Sequence, residues 1–219
     1  MSVLVWKPKN PQSSRMWQFM DFAAKTHCQV FENYQDLHTW SIKHPDAFWL
    51  TLCDFFHLQF DTPPHQVLNY YSEMMEARWF SGAKFNFAQK LLSRRDEHIA
   101  LISVSENDNR YELSYEQLYA EVAQCAEGLK AAGVTVGDRV VALMPNTHYT
   151  IIAMLATASL GAIWSSCSPD FGAQAAIDRL GQVEPKVLFI CDGHQYNGKK
   201  FNGSEKIKHL NDALPSLMR

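Results

Sequence analysis

The sequence predicts an α/β protein in which a helical N-terminal layer packs on a parallel, doubly wound sheet. Five of the six tryptophans lie before residue 95, in a part of the chain that is rich in helical spacing. After that point, short continuous apolar runs alternate with helical patterns, which is typical of parallel strands covered on both faces. We therefore divide the chain into a mainly helical N-terminal segment, residues 1–95, and an α/β portion, residues 96–219.

The charge balance and the cysteines limit the possible partners and compartments. Charged residues make up 20% of the chain and the formal net charge is −3, without the basic excess typical of proteins that bind nucleic acid or anionic membranes. We therefore expect neither as a partner. The five scattered cysteines form no C-x-x-C pair, which favours reduced thiols in the cytoplasm. The four-residue apolar run before Lys7 is too short for a signal peptide.

The first segment reads as helices joined by proline turns. Apolar residues at positions 16, 19, 20 and 23 share one helical face. Pro45 suits the first turn of a second helix, and Pro63 with Pro64 separates it from a third, which we expect to reach about residue 77. A helical layer without its own sheet buries large side chains against a neighbour, so we assign the aromatics to packing on the α/β portion.

The second segment begins with a predicted hairpin and a helix. Apolar runs at 98–104 and 111–114 flank a polar turn, and a helix follows over 115–132 and is ended by Gly133. Beyond it, strands are predicted over 140–144, 162–166 and 187–191, and helices over 146–160 (capped by Asn146), 173–183 and 204–214. Residues 149–167 are as long as a membrane span, but we interpret them as a buried helix followed by a buried strand.

The predicted sheet has few strands for its class. The chain stops just past a helix, where the alternation of strands and helices requires another strand. We therefore expect residue 219 to be a cut and the chain to be a fragment.

A phosphate-binding motif falls on residues 193–200. The sequence GHQYNGKK matches G-x-x-x-x-G-K, the loop in which successive amides cradle phosphates. However, Lys200 stands where a Ser or Thr would hold magnesium, and no helix begins directly after it. A nucleotide-binding protein that uses this loop is therefore the less favoured alternative. Lys199 and Lys200 still follow a parallel strand, where open α/β sheets bind ligands, and two ammonium groups suit a phosphate monoester. A solvated surface turn is the other interpretation.

Several segments together resemble the acyl-adenylate-forming acid–CoA ligases, in the acetyl- and acetoacetyl-CoA synthetase branch. The segments that carry the resemblance are HPDAFWLTLCDFFHLQF (44–60), ARWFSGAKFNFAQKLL (77–92), LSYEQL (113–118), GDRV (137–140), LGAIWSSCSPDFG (160–172) and YNGK (196–199). The IWSS and SPDFG forms favour the acetoacetyl type. One departure is Ala83, where the branch usually has a second glycine, and its methyl group is tolerated only if the backbone there keeps negative φ.

The resemblance implies an enzyme that couples acetoacetate or a similar short acid to CoA at the expense of ATP, through an acyl-adenylate, with AMP and pyrophosphate as products. ATP, Mg²⁺ and CoA are the implied cofactors of the full-length enzyme, and small molecules its partners. The Ser/Thr/Gly-rich phosphate loop and the lysine of the C-terminal domain are not in residues 1–219. We therefore expect the fragment alone to be inactive, with no catalytic or metal-ligating residue and no tight cofactor binding.

The resemblance also implies a ligand-binding role for the loop at 196–199. In the family it lies near the 3′-phosphate of CoA, so Lys199 is a candidate contact, with Lys200 and Tyr196 behind it. If residue 219 were instead a natural C-terminus, the chain would be a non-catalytic scaffold derived from a ligase.

Overall fold

The computed structural model describes residues 6, 8–69 and 73–218. The chain forms two compact units, Met1–Phe85 and Asn86–Arg219. The division at 95/96 that the sequence suggests stays a prediction of domain organisation.

The first unit combines helices with a small hairpin. Its main elements are α1 (Arg15–His27), α2 (Tyr34–Lys43), α3 (Pro45–Phe55), β1 (Gln66–Asn69) and β2 (Arg78–Ser81). The side chain of Ser14 caps α1 by accepting a hydrogen bond from the Trp17 amide, and Asn33 caps α2 in the same way. Pro45 opens α3, as its fixed φ favours.

Aromatic side chains form the core of this unit. Phe19 and Trp40 are buried with neighbouring aliphatic residues, and the Phe19 ring lies 5.7 Å from that of Phe48 and 5.4 Å from that of Phe55, edge-on in both cases. The apolar face predicted for α1 is confirmed at Phe19, Met20 and Ala23, although Met16 is half-exposed.

The helix expected up to about residue 77 is wrong. Residues of β1 pair antiparallel with β2, with Leu68 opposite Trp79, and only a short 3₁₀ turn at Met74–Glu76 is helical; residues 70–72 lie outside the described part. Local apolar spacing suggested the helix, but pairing with a strand about ten positions away buries Leu68 instead.

The backbone at the glycine signature accommodates the departure at Ala83. Gly82 has φ +81, and a Cβ there would lie 2.5 Å from Nδ1 of His65, so this position requires glycine. Ala83 keeps a negative φ, which any L-residue adopts. The methyl group of Ala83 is therefore compatible with the fold.

The second unit contains the parallel sheet. Its helices are α4 (Phe87–Leu91), α5 (Tyr115–Ala131), α6 (His148–Ser159), α7 (Ala173–Leu180) and α8 (Ser204–Ala213). Its strands are β3 (Ile99–Val104), β4 (Arg110–Ser114), β5 (Arg139–Leu143), β6 (Ile163–Cys167), β7 (Val187–Ile190), β8 (Gly193–Tyr196) and β9 (Lys199–Asn202).

The parallel, doubly wound sheet is confirmed. Its strand order is β6-β5-β7, with β5 at the centre and parallel to both neighbours. Val140 packs with residues of α5 and α6, whereas Val141 and Leu143 pack with residues of α7 and α8. Successive side chains of β5 thus enter two different cores, because strand side chains alternate between faces. The predicted hairpin is also confirmed, as β3 and β4 pair antiparallel.

At the helix ends of this unit, the predicted stop at Gly133 is confirmed and the predicted cap at Asn146 is not. Ser114 and Gln117 form a reciprocal capping box at the start of α5, and Gly133, with φ +75, follows its end. The predicted cap at Asn146 is wrong, because α6 starts one residue later, with Thr147 at the cap and no side-chain hydrogen bond there. Residues 149–167 form most of α6 and then β6, as expected, and no helix in the described ranges combines the length and hydropathy required to cross a bilayer.

Charged residues close the amino end of the sheet. Lys186, just before β7, places Nζ 2.7 Å from Oδ2 of Asp138 and donates to the Gly133 carbonyl at 2.6 Å. Asp138 also accepts hydrogen bonds from the Thr135 amide and hydroxyl. The Lys186 hydrogen bond, and then those from Thr135, lower the pKa of Asp138 to about 2. This carboxylate is therefore ionised at any physiological pH.

Candidate functional site

A cleft lies at the carboxyl end of the sheet, where parallel α/β folds bind ligands. Its volume is about 500 Å³, and its floor includes the last residues of β5 and β7, Leu143 and Ile190. The rest of the lining is Pro169, Asp170, Cys191, His194, Tyr196, Phe201, Asn202, Gly203 and Lys206. The cleft thus combines an apolar floor with a polar wall that the β8–β9 hairpin and the start of α8 supply.

The segment that matches a phosphate loop is a β-hairpin. Strands β8 and β9 pair antiparallel, with Tyr196 opposite Lys199, around a turn of Asn197 and Gly198 whose φ values are 50 and 72. Two positive φ values in succession favour an Asn-Gly pair in a tight hairpin turn. Because this backbone is an extended ladder and not a loop wrapped around an anion, the geometry does not favour the nucleotide-binding alternative.

The hairpin separates the three candidate residues onto two faces. Residues paired across an antiparallel ladder share a face, so Tyr196 and Lys199 lie on the side of His194 and Phe201, which line the cleft. Lys200 is paired with Gln195 and therefore lies on the opposite side. The structure thus brings Tyr196 and Lys199 together and turns Lys200 away from them.

The two lysines of the hairpin are available to a ligand. Tyr196 is 58% exposed, and both lysines are exposed. Within residues 6, 8–69 and 73–218, neither ammonium group has a carboxylate within 4.0 Å. Their charge is therefore not neutralised by an ion pair in the part of the chain that is described.

His194 anchors the hairpin beside the cleft, a role that sequence reasoning missed. Its ring stacks on Phe201 at 5.0 Å between centroids, and Nε2 lies 3.1 Å from Oδ1 of Asp170. Its side chain is only 9% exposed. The contact spans 24 positions of sequence, and a lone histidine carries no local pattern that would indicate it.

Lys206, in the first turn of α8, is a second missed residue of the cleft wall. Its Nζ donates hydrogen bonds to the carbonyl oxygens of Pro169 at 2.5 Å and Phe171 at 2.9 Å. These bonds hold the SPDFG segment against α8 and keep a positive charge beside the cleft. Only the tertiary structure brings this lysine to the segment, since 35 or more positions separate them.

The remaining chemistry of the cleft is limited. Burial raises the pKa of the Cys191 thiol, so this group is protonated at neutral pH and is a weak nucleophile. In the described part of the chain, no group of three or more His, Cys, Asp or Glu side chains is arranged to hold a metal ion. The arrangement is suited to binding an anionic, partly apolar ligand through cations and rings.

Two family models match adjoining parts of the chain. The model described as "AMP-binding enzyme" matches residues 88–217, more than half of the chain, and the model described as "Acetyl-coenzyme A synthetase N-terminus" matches residues 34–90. The two matches together extend from α2 to α8.

Individual relatives agree with the family models. An acetoacetyl-coenzyme A synthetase of Rhizobium meliloti is 38% identical over 96% of this chain and 32% of its own length. A malonamoyl-CoA synthetase of Penicillium aethiopicum is 37% identical over 98% of this chain and 31% of its own. The solved structure of an acetoacetyl-CoA synthetase from Streptomyces lividans matches with a TM-score of 0.87 and 38% identity, covering 94% of this chain and 32% of that one.

These matches show to which family the chain belongs and how much of its relatives' length it covers. The chain spans about a third of the length of the curated relatives. It carries the doubly wound sheet, the N-terminal signature segments and the cleft in one continuous match, and so the chain belongs to the AMP-binding enzyme family.

Proposed function

We propose that these residues are the N-terminal part of an ATP-dependent acid–CoA ligase. The complete protein would convert acetoacetate, ATP and CoA into acetoacetyl-CoA, AMP and pyrophosphate through an acyl-adenylate. The observation that carries the proposal is the family match over residues 88–217, joined by relatives at 37–38% identity whose names are those of CoA synthetases. ATP, Mg²⁺ and CoA are the proposed cofactors, and the proposed location is the cytoplasm.

The contribution that we assign to this part of the chain is CoA binding. The β8–β9 hairpin presents Lys199 and Tyr196 on the cleft side, and an ammonium group that has no carboxylate partner among the described residues suits the dianionic 3′-phosphate. The aromatic ring of Tyr196 adds an exposed surface on which a base or the pantetheine arm can pack. Lys200 is a weaker candidate, because it lies on the opposite face.

Two chemically similar acids are candidate substrates. Acetoacetate and malonamate both carry a carbonyl group β to the carboxylate and differ only in a terminal methyl or amino group. The relatives named for these two acids match the chain at 38% and 37% identity, so identity alone does not separate the substrates. We propose acetoacetate because the IWSS and SPDFG forms resemble the acetoacetyl type.

The adenylation step is assigned to residues outside positions 1–219. The phosphate loop and the C-terminal lysine that the resemblance requires are not in this stretch, and no magnesium ligand is assigned here. We therefore propose that residues 1–219 alone neither adenylate an acid nor bind these cofactors tightly, and that neither nucleic acid nor a membrane is a partner.

Pyrophosphate exchange with the complete protein tests the function. With acetoacetate, Mg²⁺ and labelled pyrophosphate, the protein should exchange label into ATP without CoA, and CoA should then be required for thioester formation. Malonamate and acetate, supplied in parallel, identify the preferred acid. Exchange with none of the three acids would overturn the proposed activity and favour the non-catalytic scaffold.

A further inference from the structure

The turn between β3 and β4 holds the tip of the β8–β9 hairpin. The carboxylate of Glu106 accepts hydrogen bonds from the backbone amides of Asn197 at 2.7 Å and Gly198 at 3.1 Å, one to each oxygen. These are the two residues of the hairpin turn, next to Tyr196 and Lys199. Hydrogen bonds from backbone N–H groups to an ionised carboxylate are charge-assisted, and such hydrogen bonds are among the stronger ones in proteins.

A second contact lies directly beside the first. Asn107 and Gln195 exchange two hydrogen bonds between their side-chain amides, at 2.9 and 3.1 Å. Gln195 lies on the hairpin face opposite Tyr196, so the β3–β4 turn contacts the face that is turned away from the cleft. Together, Glu106 and Asn107 form a clasp on the back of the hairpin tip.

The hairpin needs such support. An isolated pair of four-residue strands is marginal in water, and the residues of β9 are exposed. His194 ties the base of the hairpin to Asp170 and stacks on Phe201 of the paired strand. At the tip, the clasp connects the turn of Asn197 and Gly198 to the β3–β4 turn of the same unit.

The charge of Glu106 argues against a direct role in binding a phosphate. A carboxylate near Lys199 repels an anionic ligand, so through electrostatics alone its removal would strengthen phosphate binding. If Glu106 nevertheless favours ligand binding, it does so through geometry. The two effects have opposite signs, which makes them separable by experiment.

We propose that Glu106 and Asn107 are positioning residues that hold Tyr196 and Lys199 against the 3′-phosphate end of CoA. The inference rests on the proposed function, since it adds a support to the CoA contact assigned above. The clasp should have no effect on the adenylation step, because that step does not use CoA.

Kinetics of the complete protein with three variants test the proposal. Glu106→Ala should raise the KM for CoA about fivefold and leave kcat and acid-dependent pyrophosphate exchange unchanged, since it removes two charge-assisted hydrogen bonds behind the site. Glu106→Gln keeps an acceptor oxygen and should recover part of this loss. Asp108→Asn is the matched control, because it removes a carboxylate from the same turn at a left-handed residue that Asn also tolerates, and it should not raise the KM.

Two further measurements separate positioning from a general loss of structure. Hydrogen exchange at the amides of Asn197 and Gly198 should accelerate in Glu106→Ala, while exchange in β5 stays slow. Dephospho-CoA should show much less of the KM increase than CoA. The variants Asn107→Ala and Gln195→Ala should each raise the KM for CoA modestly. The double variant should be no worse than either single variant, because each single substitution already removes the same contact between the two side chains.

Distinct results overturn the inference and the proposed function. An unchanged or lower KM for CoA in Glu106→Ala and Glu106→Gln, with Lys199→Ala still impaired, would overturn the clasp and leave the CoA site standing. If Glu106→Ala does not fold, Glu106→Gln carries the same test. Absence of acid-dependent pyrophosphate exchange in the unaltered protein would instead refute the proposed activity. Hydrogen exchange at the turn amides would still test the clasp in that case.

Discussion

At the amino end of the parallel sheet, the ammonium group of Lys186 is paired with Asp138 and hydrogen-bonded to a carbonyl oxygen, whereas at the carboxyl end Lys199 has no described carboxylate in reach. Both residues belong to the same unit, with Lys186 just before β7 and Lys199 as the first residue of β9. We use this difference in partners, more than the type of residue or its place near a sheet, to separate the structural role of Lys186 from the ligand contact proposed for Lys199. A residue whose bonds are already satisfied stabilises the fold, and one whose charge is unpaired is available to a substrate.

The strongest test of this contrast is Lys199→Ala in the complete protein. Loss of a charge-assisted contact should raise the KM for CoA about tenfold, with little change for dephospho-CoA and none in the KM for ATP. Steady-state kinetics with the two forms of CoA measure the effect. An equal loss with both would show that Lys199 does not contact the 3′-phosphate.

A smaller effect is expected from His194→Ala. The substitution removes the stack on Phe201 and the contact to Asp170, so the base of the hairpin is less well held and the KM for CoA should rise about threefold. Pyrophosphate exchange supplies the control, because it requires no CoA. A comparable fall in exchange would indicate a wider disruption of the unit.

The amino end should respond in stability and not in ligand binding. Asp138→Asn removes the partner of Lys186, so the midpoint of thermal unfolding should fall by about 1–3 °C while the KM for CoA is unchanged. The folded-state pKa of Asp138 is about 2, below the ordinary 3.8, so the ionised form contributes stability above pH 4 that is lost as pH falls towards 2.

The stability difference between the unaltered protein and Asp138→Asn should therefore be constant from neutral pH to about pH 5 and shrink as pH falls from about 4 to about 2. Unfolding by urea at a series of pH values measures it. A difference that grows as the solution becomes more acidic would contradict the assignment of the lowered pKa to Asp138.

The smallest effect is expected from Lys200→Ala. This lysine is adjacent to Lys199, equally without a described carboxylate partner, and on the other face of the hairpin, so its loss should change the KM for CoA by less than about twofold. The two alanine variants form a matched pair. Equal effects would contradict the division of the lysines between two faces.

Local patterns in the sequence were sufficient for much of the fold. The apolar run around Val141 and the helix predicted over 115–132, with Gly133 at its end, each depend on neighbours in sequence, and the structure confirms both. The strand at Leu68 was missed because its partner strand lies about ten positions away, so local spacing favoured a helix.

The residues of the candidate site stay a prediction, whereas the form of the backbone that carries them differs from the predicted loop. Lys199 and Tyr196 were identified through a resemblance, while the Asn197-Gly198 pair, a strong hairpin signal, was read as part of a loop. The contact of Glu106 with this turn spans about ninety positions, and no local pattern indicates it. Long-range polar contacts of this kind depend on the tertiary fold.

The two adjacent lysines make the hairpin tolerant of a one-residue slip in the pairing of its strands. Such a slip of β9 along β8 would exchange the faces of the two lysines, so that Lys199 would turn to the outer side and Lys200 to the side of the cleft. Either register therefore places one ammonium group on the side of the cleft. With a single lysine, the same slip would move the ammonium group of the hairpin to the outer side.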